Sequence, residues 1–132
     1  MWLPDTNAWI ALINARPSPV EARFQSRTSA TIFLCDVVKA ELYYGAFRSA
    51  RREENLALLD RLFPTFASLP FNSEAARACG QIRAALSAAG TPIGPYDLQI
   101  AAIALVHGLT VVTHNISEFD RVPQLKTEDW EI

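Results

Sequence analysis

Cysteine is scarce in this chain, with two residues in 132. Cys35 follows the apolar run Thr31-Ile32-Phe33-Leu34 and Cys79 lies in an alanine-rich stretch, so both read as buried free thiols rather than a bridge. Long apolar runs are missing too: none approaches the ~18 residues of a membrane helix. The N-terminal stretch lacks a basic segment and is interrupted by Asp5, unlike a signal peptide. There is no internal repeat, low-complexity segment or interdomain linker, and no Cys/His cluster of the kind zinc favours. His107 at a helix end and His114 in a loop have no matching partner in the pattern and read as structural or solvent-facing. These absences exclude a disulfide scaffold, a membrane protein and a zinc module. They leave one domain over 1–132, expected in the cytoplasm, long enough to bury its own core.

Half of the residues are apolar and a fifth are charged, which suits a compact globular protein. The net charge of −2 conceals an asymmetry. Residues 1–90 hold ten Lys/Arg against eight Asp/Glu, and residues 91–132 hold two against six. Ten of the twelve cations are Arg, with Arg48, Arg51 and Arg52 clustered and Arg61 further on. Arg is the better fork for phosphate, although any single Arg here is adequately explained as part of a solvated helix face. A pI of about 5.6 gives no support to a general nucleic-acid binder.

Strand and helix signals alternate along the chain. Met1–Pro4, Thr31–Leu34 and Thr110–Thr113 read as strands, with an extended piece near Phe66–Phe71 and a short one within Leu125–Trp130. Helices are expected over Ala8–Asn14, from Ser18-Pro19 onward, from a cap at Asp36 to Phe47, and over Arg51–Phe63. Two more are expected from a cap at Ser73 to Gly90 and from Pro95 to His107 before Gly108. This alternation predicts a parallel sheet flanked by helices, an α/β sandwich.

Four acids sit where a solvated charge has no reason to be. Asp5 ends the first apolar run, and Glu41 shares a helix side with Val38, Leu42 and Gly45. Asp97 opens the all-round apolar helix containing Ile100-Ala101-Ala102-Ile103-Ala104-Leu105-Val106, and Glu118 follows the last strong strand. Three of them fall beyond strand ends, where ligands gather in an open parallel sheet. Each has an ordinary explanation: Asp5 and Asp97 as helix-start acids, Glu118 as an exposed loop acid, Glu41 as half of a salt bridge to a distant Arg. Lys39, on the opposite helix face, is excluded as its partner. Together the four suggest carboxylates converging on a divalent cation, since otherwise they repel one another.

Three segments carry a family resemblance: Leu3-Pro4-Asp5-Thr6-Asn7, Val37-Val38-Lys39-Ala40-Glu41-Leu42-Tyr43-Tyr44-Gly45 and Ile93-Gly94-Pro95-Tyr96-Asp97-Leu98-Gln99-Ile100-Ala101-Ala102. With Gly108–Phe119 as a fourth, the chain resembles the PIN-domain ribonucleases, and among them the VapC toxins of toxin–antitoxin pairs. The resemblance spans essentially the whole chain and implies a three-layer PIN-like sandwich with a central parallel sheet. It implies an Mg²⁺- or Mn²⁺-dependent endoribonuclease whose acidic quartet is Asp5, Glu41, Asp97 and, at the fourth place, Glu118 or Asn115. Asp5, Asp97 and Glu41 would hold the metal, supported by Thr6, Asn7, Thr113 and Asn115. Hydrolysis would be in line, leaving a 5′-phosphate and a 3′-hydroxyl, with tRNA, in particular the initiator tRNA anticodon stem-loop, as the expected substrate. A VapB-like antitoxin and a homodimer are the implied partners, with Trp9, Phe47, Phe63 and Phe66 as candidate contact residues. Pro4 departs from the aliphatic residue usual before the first Asp.

Other classes fit less well. A phosphoacceptor domain wants adjacent acids early and a Lys after a late strand, and Lys39 and Lys126 are misplaced for that. A haloacid-dehalogenase-type phosphatase wants an Asp where Asn7 stands. A catalytically inactive PIN-like module that binds RNA or protein is the remaining alternative.

Overall fold

The computed structural model describes residues 1–14 and 17–132. Five short strands are all parallel: β1 (Trp2–Pro4), β2 (Phe33–Cys35), β3 (Ala67–Leu69), β4 (Thr110–Val112) and β5 (Thr127–Glu128). Two ladders, β1-β4-β5 and β2-β3, are joined by a parallel bridge between Trp2 and Ile32. The resulting order is β3-β2-β1-β4-β5, and the chain reverses its direction of winding between β1 and β4. In an open α/β sheet that switch point opens a crevice at the strand carboxyl ends.

The helices are α1 (Thr6–Asn14), α2 (Pro19–Gln25), α3 (Asp36–Arg48), α4 (Arg52–Leu62), α5 (Ser73–Ala88), α6 (Pro95–His107) and α7 (Ile116–Phe119). They flank the sheet, as expected. Ser18 caps α2 through the Glu21 N–H at 3.1 Å with Pro19 in the first turn. Gly108 ends α6 at φ 65°, a left-handed cap conformation that a side chain resists. Ile100 to Ala104 are all fully buried, so α6 runs through the core as its all-round apolar sequence requires. Full burial of large residues such as Ile100 and Ile103 contributes about 1.5–3 kcal/mol each.

Several boundaries move. α1 starts at Thr6, not Ala8, because Asp5 supplies the cap: its Oδ1 accepts the Ala8 N–H at 2.9 Å. The cap of α3 is Cys35 rather than Asp36, and that of α5 is not Ser73 but Asn72, whose Oδ1 accepts the Ala75 N–H at 3.0 Å. The second strand shifts to Phe33–Cys35, because Ser29–Thr31 forms a 3-10 turn. Glu118 lies on α7 rather than in an open loop. Both thiols are free, Cys35 buried and Cys79 half-buried.

Pro4 is tolerated for a local reason. The Asp5 N–H bonds the Val112 carbonyl at 2.9 Å and the Thr110 N–H bonds the Met1 carbonyl at 3.1 Å, so odd residues of β1 face β4. The missing Pro4 N–H therefore points to the β2 side, past the single Trp2–Ile32 bridge. Its carbonyl accepts the Trp9 indole N–H at 3.1 Å, which ties α1 to the end of β1. Trp9 packs at 5.0 Å from Phe24 and 4.9 Å from Phe66, and Phe24 packs at 5.2 Å from Trp130. Trp9, Phe63 and Phe66 thus serve packing; of the four candidate contact aromatics only Phe47 is exposed.

Gly80 lies inside α5, and a Cβ there would meet nothing within 4 Å. Gly80→Ala should therefore stabilise the protein by about 1 kcal/mol, raising the thermal midpoint by about 3–6 °C. An unchanged or lowered midpoint in calorimetry would show that α5 is not a regular exposed helix at that point.

Candidate active site

Asp5, Thr6, Asn7, Glu41 and Asp97 line one cleft of about 360 Å³ at the β1/β4 switch point, with Ile10, Tyr44, Gly94, Pro95 and Tyr96. Asp5 is 4% exposed, at the carboxyl end of β1. Glu41 arrives in the middle of α3 and Asp97 in the first turn of α6. Glu118, from α7, reaches the same place: its Oε1 accepts the Gly94 N–H at 2.6 Å. A Cβ on Gly94 would lie 3.5 Å from Glu118 Oε1 and 3.9 Å from Asp97 Oδ2, so glycine keeps that side of both carboxylates open. All four sequence-derived acids are brought together.

Neutral donors fix these carboxylates. Asp5 accepts the Ala8 N–H and a hydrogen bond from the buried Thr113 hydroxyl. Glu41 accepts the Thr6 hydroxyl at 2.6 Å. Glu118 accepts the Gly94 N–H on one oxygen and the Asn115 side-chain amide on the other. The backbone N–H of Asn115 is held in turn by Thr113 Oγ1 at 2.9 Å. Glu118 and Asn115, the two candidates for the fourth place, are thus a bonded pair. Asn7 lies exposed at the rim. Among the described residues no Lys or Arg forms an ion pair with any of the four acids, which rules out the salt-bridge explanation for Glu41 there.

The charge left unbalanced raises the affinity of these carboxyls for protons. Burial, and then the charges of Glu118, Asp5 and Glu41, push the Asp97 carboxyl up to about 7. Burial also raises Asp5, partly offset by Thr113 and the Ala8 N–H. Without a cation, Asp97 keeps its proton up to about pH 7. This oxygen-only donor set, held in place but not neutralised, fits a hard divalent cation such as Mg²⁺ or Mn²⁺. The only three His/Cys/Asp/Glu donors mutually within 4.8 Å among the described residues are His114, Asp129 and Glu131, so the quartet is more open. Openness suits an ion that keeps several waters, as Mg²⁺ does.

Sequence reasoning missed three features. His114 is solvent-facing as expected, but it is partnered, at 2.9 Å from Asp129 and 3.8 Å from Glu131. Its hydrogen bond to Asp129 raises its pKa, and its partners 15 and 17 positions away leave no local signal. The Gly94 N–H and the exposed rings of Tyr44 and Tyr96 also belong to the site, although both tyrosines lie inside the motifs singled out above.

A carboxyl raised on folding holds a proton that the unfolded chain has lost. Between about pH 4 and 7 the folded, metal-free protein therefore binds more protons, and its stability falls as pH rises through that window. In EDTA, urea midpoints should fall from pH 5 to pH 8, and Asp97→Asn should flatten that slope and be the more stable protein at pH 8. Mg²⁺ should restore the parent at pH 8 by binding only the folded state. An Asp97→Asn slope identical to the parent's would remove this account of the site's electrostatics.

The PIN domain family model matches residues 2–125. The chain is 41% identical over 126 residues to the "tRNA(fMet)-specific endonuclease VapC" of Salmonella typhimurium, covering 96% of this chain and 95% of that protein. It is 36% identical over 129 residues to "Ribonuclease VapC2" of Haemophilus influenzae, covering 98% and 97%. The crystal structure of DNA-bound VapBC from Salmonella typhimurium superposes with a TM-score of 0.92 at 40% identity, covering 98% of this chain and 97% of that one. VapBC2 from Rickettsia felis, bound to a DNA fragment from its promoter, gives 0.91 at 32% identity over 98% of each chain. Across the switch-point cleft, the full-length sequence match and the shared fold, the chain belongs to the PIN-domain family and, within it, to the VapC ribonucleases.

Proposed function

We propose that this protein is a divalent-metal-dependent endoribonuclease, the toxin of a type II toxin–antitoxin pair, that cuts tRNA in the anticodon stem-loop of initiator tRNA. The observation that carries it is the convergence of Asp5, Glu41, Asp97 and Glu118 at the switch point with only neutral donors around them. The tRNA(fMet) specificity printed for the 41% identical Salmonella protein supports the substrate. A single-stranded loop suits such a cleft, because its phosphodiesters can be splayed out of the stack.

Asp5 and Asp97 would hold the metal, with Glu41 beside them. A bound divalent ion there supplies a lowered water pKa and stabilisation of charge on the scissile phosphate. The residues of the chain do the rest. Thr6 fixes Oε1 of Glu41, which leaves Oε2 to take the proton of the attacking water. The Gly94 N–H and Asn115 hold Glu118 against rotation, and Thr113 positions Asp5 from below. One PIN domain over 1–132, working as a homodimer in the cytoplasm, completes the reading; no described helix is long and apolar enough to cross a membrane.

The test is cleavage of a tRNA pool with Mg²⁺ or Mn²⁺, read by 5′-end sequencing. One dominant cut is expected, abolished by EDTA. Asp97→Asn and Asp5→Asn should lower the rate by about two orders of magnitude or more, several kcal/mol of lost transition-state stabilisation. Folded, metal-loaded protein that bound tRNA and left it whole would point to the inactive PIN-like module instead.

The VapB-like antitoxin is placed, in this reading, along an apolar furrow of about 250 Å³ that shares Ile10 and Glu41 with the acidic cleft. Its other walls include Ile13, Leu42, Leu58 and Leu59 from α1, α3 and α4. The structural neighbours named as VapBC complexes support such a partner. Leu58→Asp should weaken co-purification with the antitoxin at least tenfold, leaving tRNA cleavage by the free protein within a few-fold of the parent. Unchanged co-purification would move the antitoxin to another face.

A further inference from the structure

Two large aromatic rings stand in water at the mouth of the acidic cleft. Tyr44 is 62% exposed and Tyr96 is 56% exposed, and both line the cleft that contains Asp5, Glu41 and Asp97. They come from different elements, Tyr44 from α3 and Tyr96 from the first turn of α6, and both line the cleft of the carboxylates. Neither contributes to the buried core, which makes packing a poor explanation for either. Tyr96 makes no ring contact with another aromatic among the described residues.

Arg48 extends the arrangement. Its guanidinium lies 5.2 Å from the centroid of the Tyr44 ring, and its Nη1 donates to the Tyr44 hydroxyl at 3.3 Å. The other two clustered arginines are engaged: Arg51 pairs with Glu54 at 2.7 Å, and Arg52 Nε donates to the Phe47 carbonyl at 3.0 Å. Arg48 forms no ion pair among the described residues. Glu41, Tyr44 and Arg48 are spaced i, i+3, i+7, so they form one stripe along α3 leading out of the cleft. At 1.5 Å rise per residue Arg48 sits about 10 Å along the axis from Glu41. That is far enough to serve a phosphate other than the one at the acids.

We infer that Tyr44, Arg48 and Tyr96 form a clamp for single-stranded RNA. Tyr44 and Tyr96 stack unpaired bases on either side of the scissile phosphate, and Arg48 holds a neighbouring phosphate while backing the Tyr44 ring. The inference rests on the ribonuclease reading and adds the part of the substrate that is recognised. Every base has a π-face, so this clamp selects unpaired nucleotides over duplex rather than a particular sequence. The acidic cleft repels phosphate by itself, and Arg48 is the cation on the same stripe that offsets this.

The test uses a fluorescent single-stranded oligoribonucleotide of anticodon-loop sequence, with Mg²⁺, bound to the full-length Asp97→Asn protein. In that background Tyr44→Ala and Tyr96→Ala should each weaken binding roughly 5- to 100-fold, the range of one base–aromatic stack. Tyr96→Phe should bind like the parent and Tyr96→Leu like the alanine variant. Arg48→Gln should weaken binding and reduce the slope of log K against log salt by about 0.7, one phosphate contact. In the active protein the tyrosine variants should raise KM and leave kcat within a few-fold. Unchanged RNA binding by the alanine variants overturns the clamp, and so does full rescue by Tyr96→Leu, which would mean generic apolar contact. Loss confined to antitoxin capture, or to self-association in sedimentation, overturns it in favour of a protein-binding role. Parent protein, with Asp97 intact, that neither cuts nor binds any RNA removes the ribonuclease reading with it, a result distinct from normal cleavage by the tyrosine variants.

Discussion

The site depends on holding like charges close together without neutralising them. Three of the four carboxylates are gripped by groups with a dipole but no net charge. These are the Ala8 N–H and Thr113 hydroxyl for Asp5, the Thr6 hydroxyl for Glu41, and the Gly94 N–H and Asn115 amide for Glu118. A salt bridge from Lys or Arg would fix position equally well, but it would also cancel the charge that a divalent ion requires. Neutral donors separate the two tasks. The cost appears in Asp97, which is squeezed until it keeps its proton to about pH 7.

That constraint explains the economy of the fold around it. Asp5 is both the cap of α1 and a wall of the cleft, so the helix cannot form in this register without delivering the carboxylate. The Trp9 indole bonded to the Pro4 carbonyl locks the same helix to the strand end, and the aromatic packing of Trp9 with Phe24 and Phe66 stabilises that lock from behind. Thr113 does the corresponding work from β4, being hydrogen-bonded to Asp5 and to the backbone of Asn115. Adjacent parallel strands β1 and β4 therefore fix two ends of one hydrogen-bonded chain. The winding reversal between them leaves the crevice free of a covering helix connection.

How much of this could be read from residues depended on whether the signal was local. The all-round apolar run of α6, the Ser18-Pro19 start and the Gly108 stop are local, and each lies where expected. All four acids were legible because each breaks a local pattern. Boundaries failed where two neighbours compete for one role: Asp5 against Thr6 and Asn7, Cys35 against Asp36, Asn72 against Ser73. β-branched Thr31 suggested a strand, yet the chain spends it on a 3-10 turn before β2. α7 has four residues, too few for any periodicity, and β5 has two. The contact between Glu118 and Gly94 spans 24 positions, so only the fold could reveal how the fourth acid is held.

One consequence reaches beyond catalysis. A cleft lined by unneutralised carboxylates, Asp5 buried and the other three half-buried, does not discriminate strongly among positive occupants, and Asp97 itself keeps a proton up to about pH 7. A divalent cation, a proton and a basic side chain from a partner compete for the same electrostatic vacancy. The apolar furrow opens directly into it, with Glu41 on both walls. If the antitoxin lies in the furrow as proposed, a single cationic residue of it would gain affinity from the same charge that the proposed metal would use. On the proposed reading, the charge that would hold the metal is also the charge that would attract an inhibiting partner, so changing the acids alone would alter both.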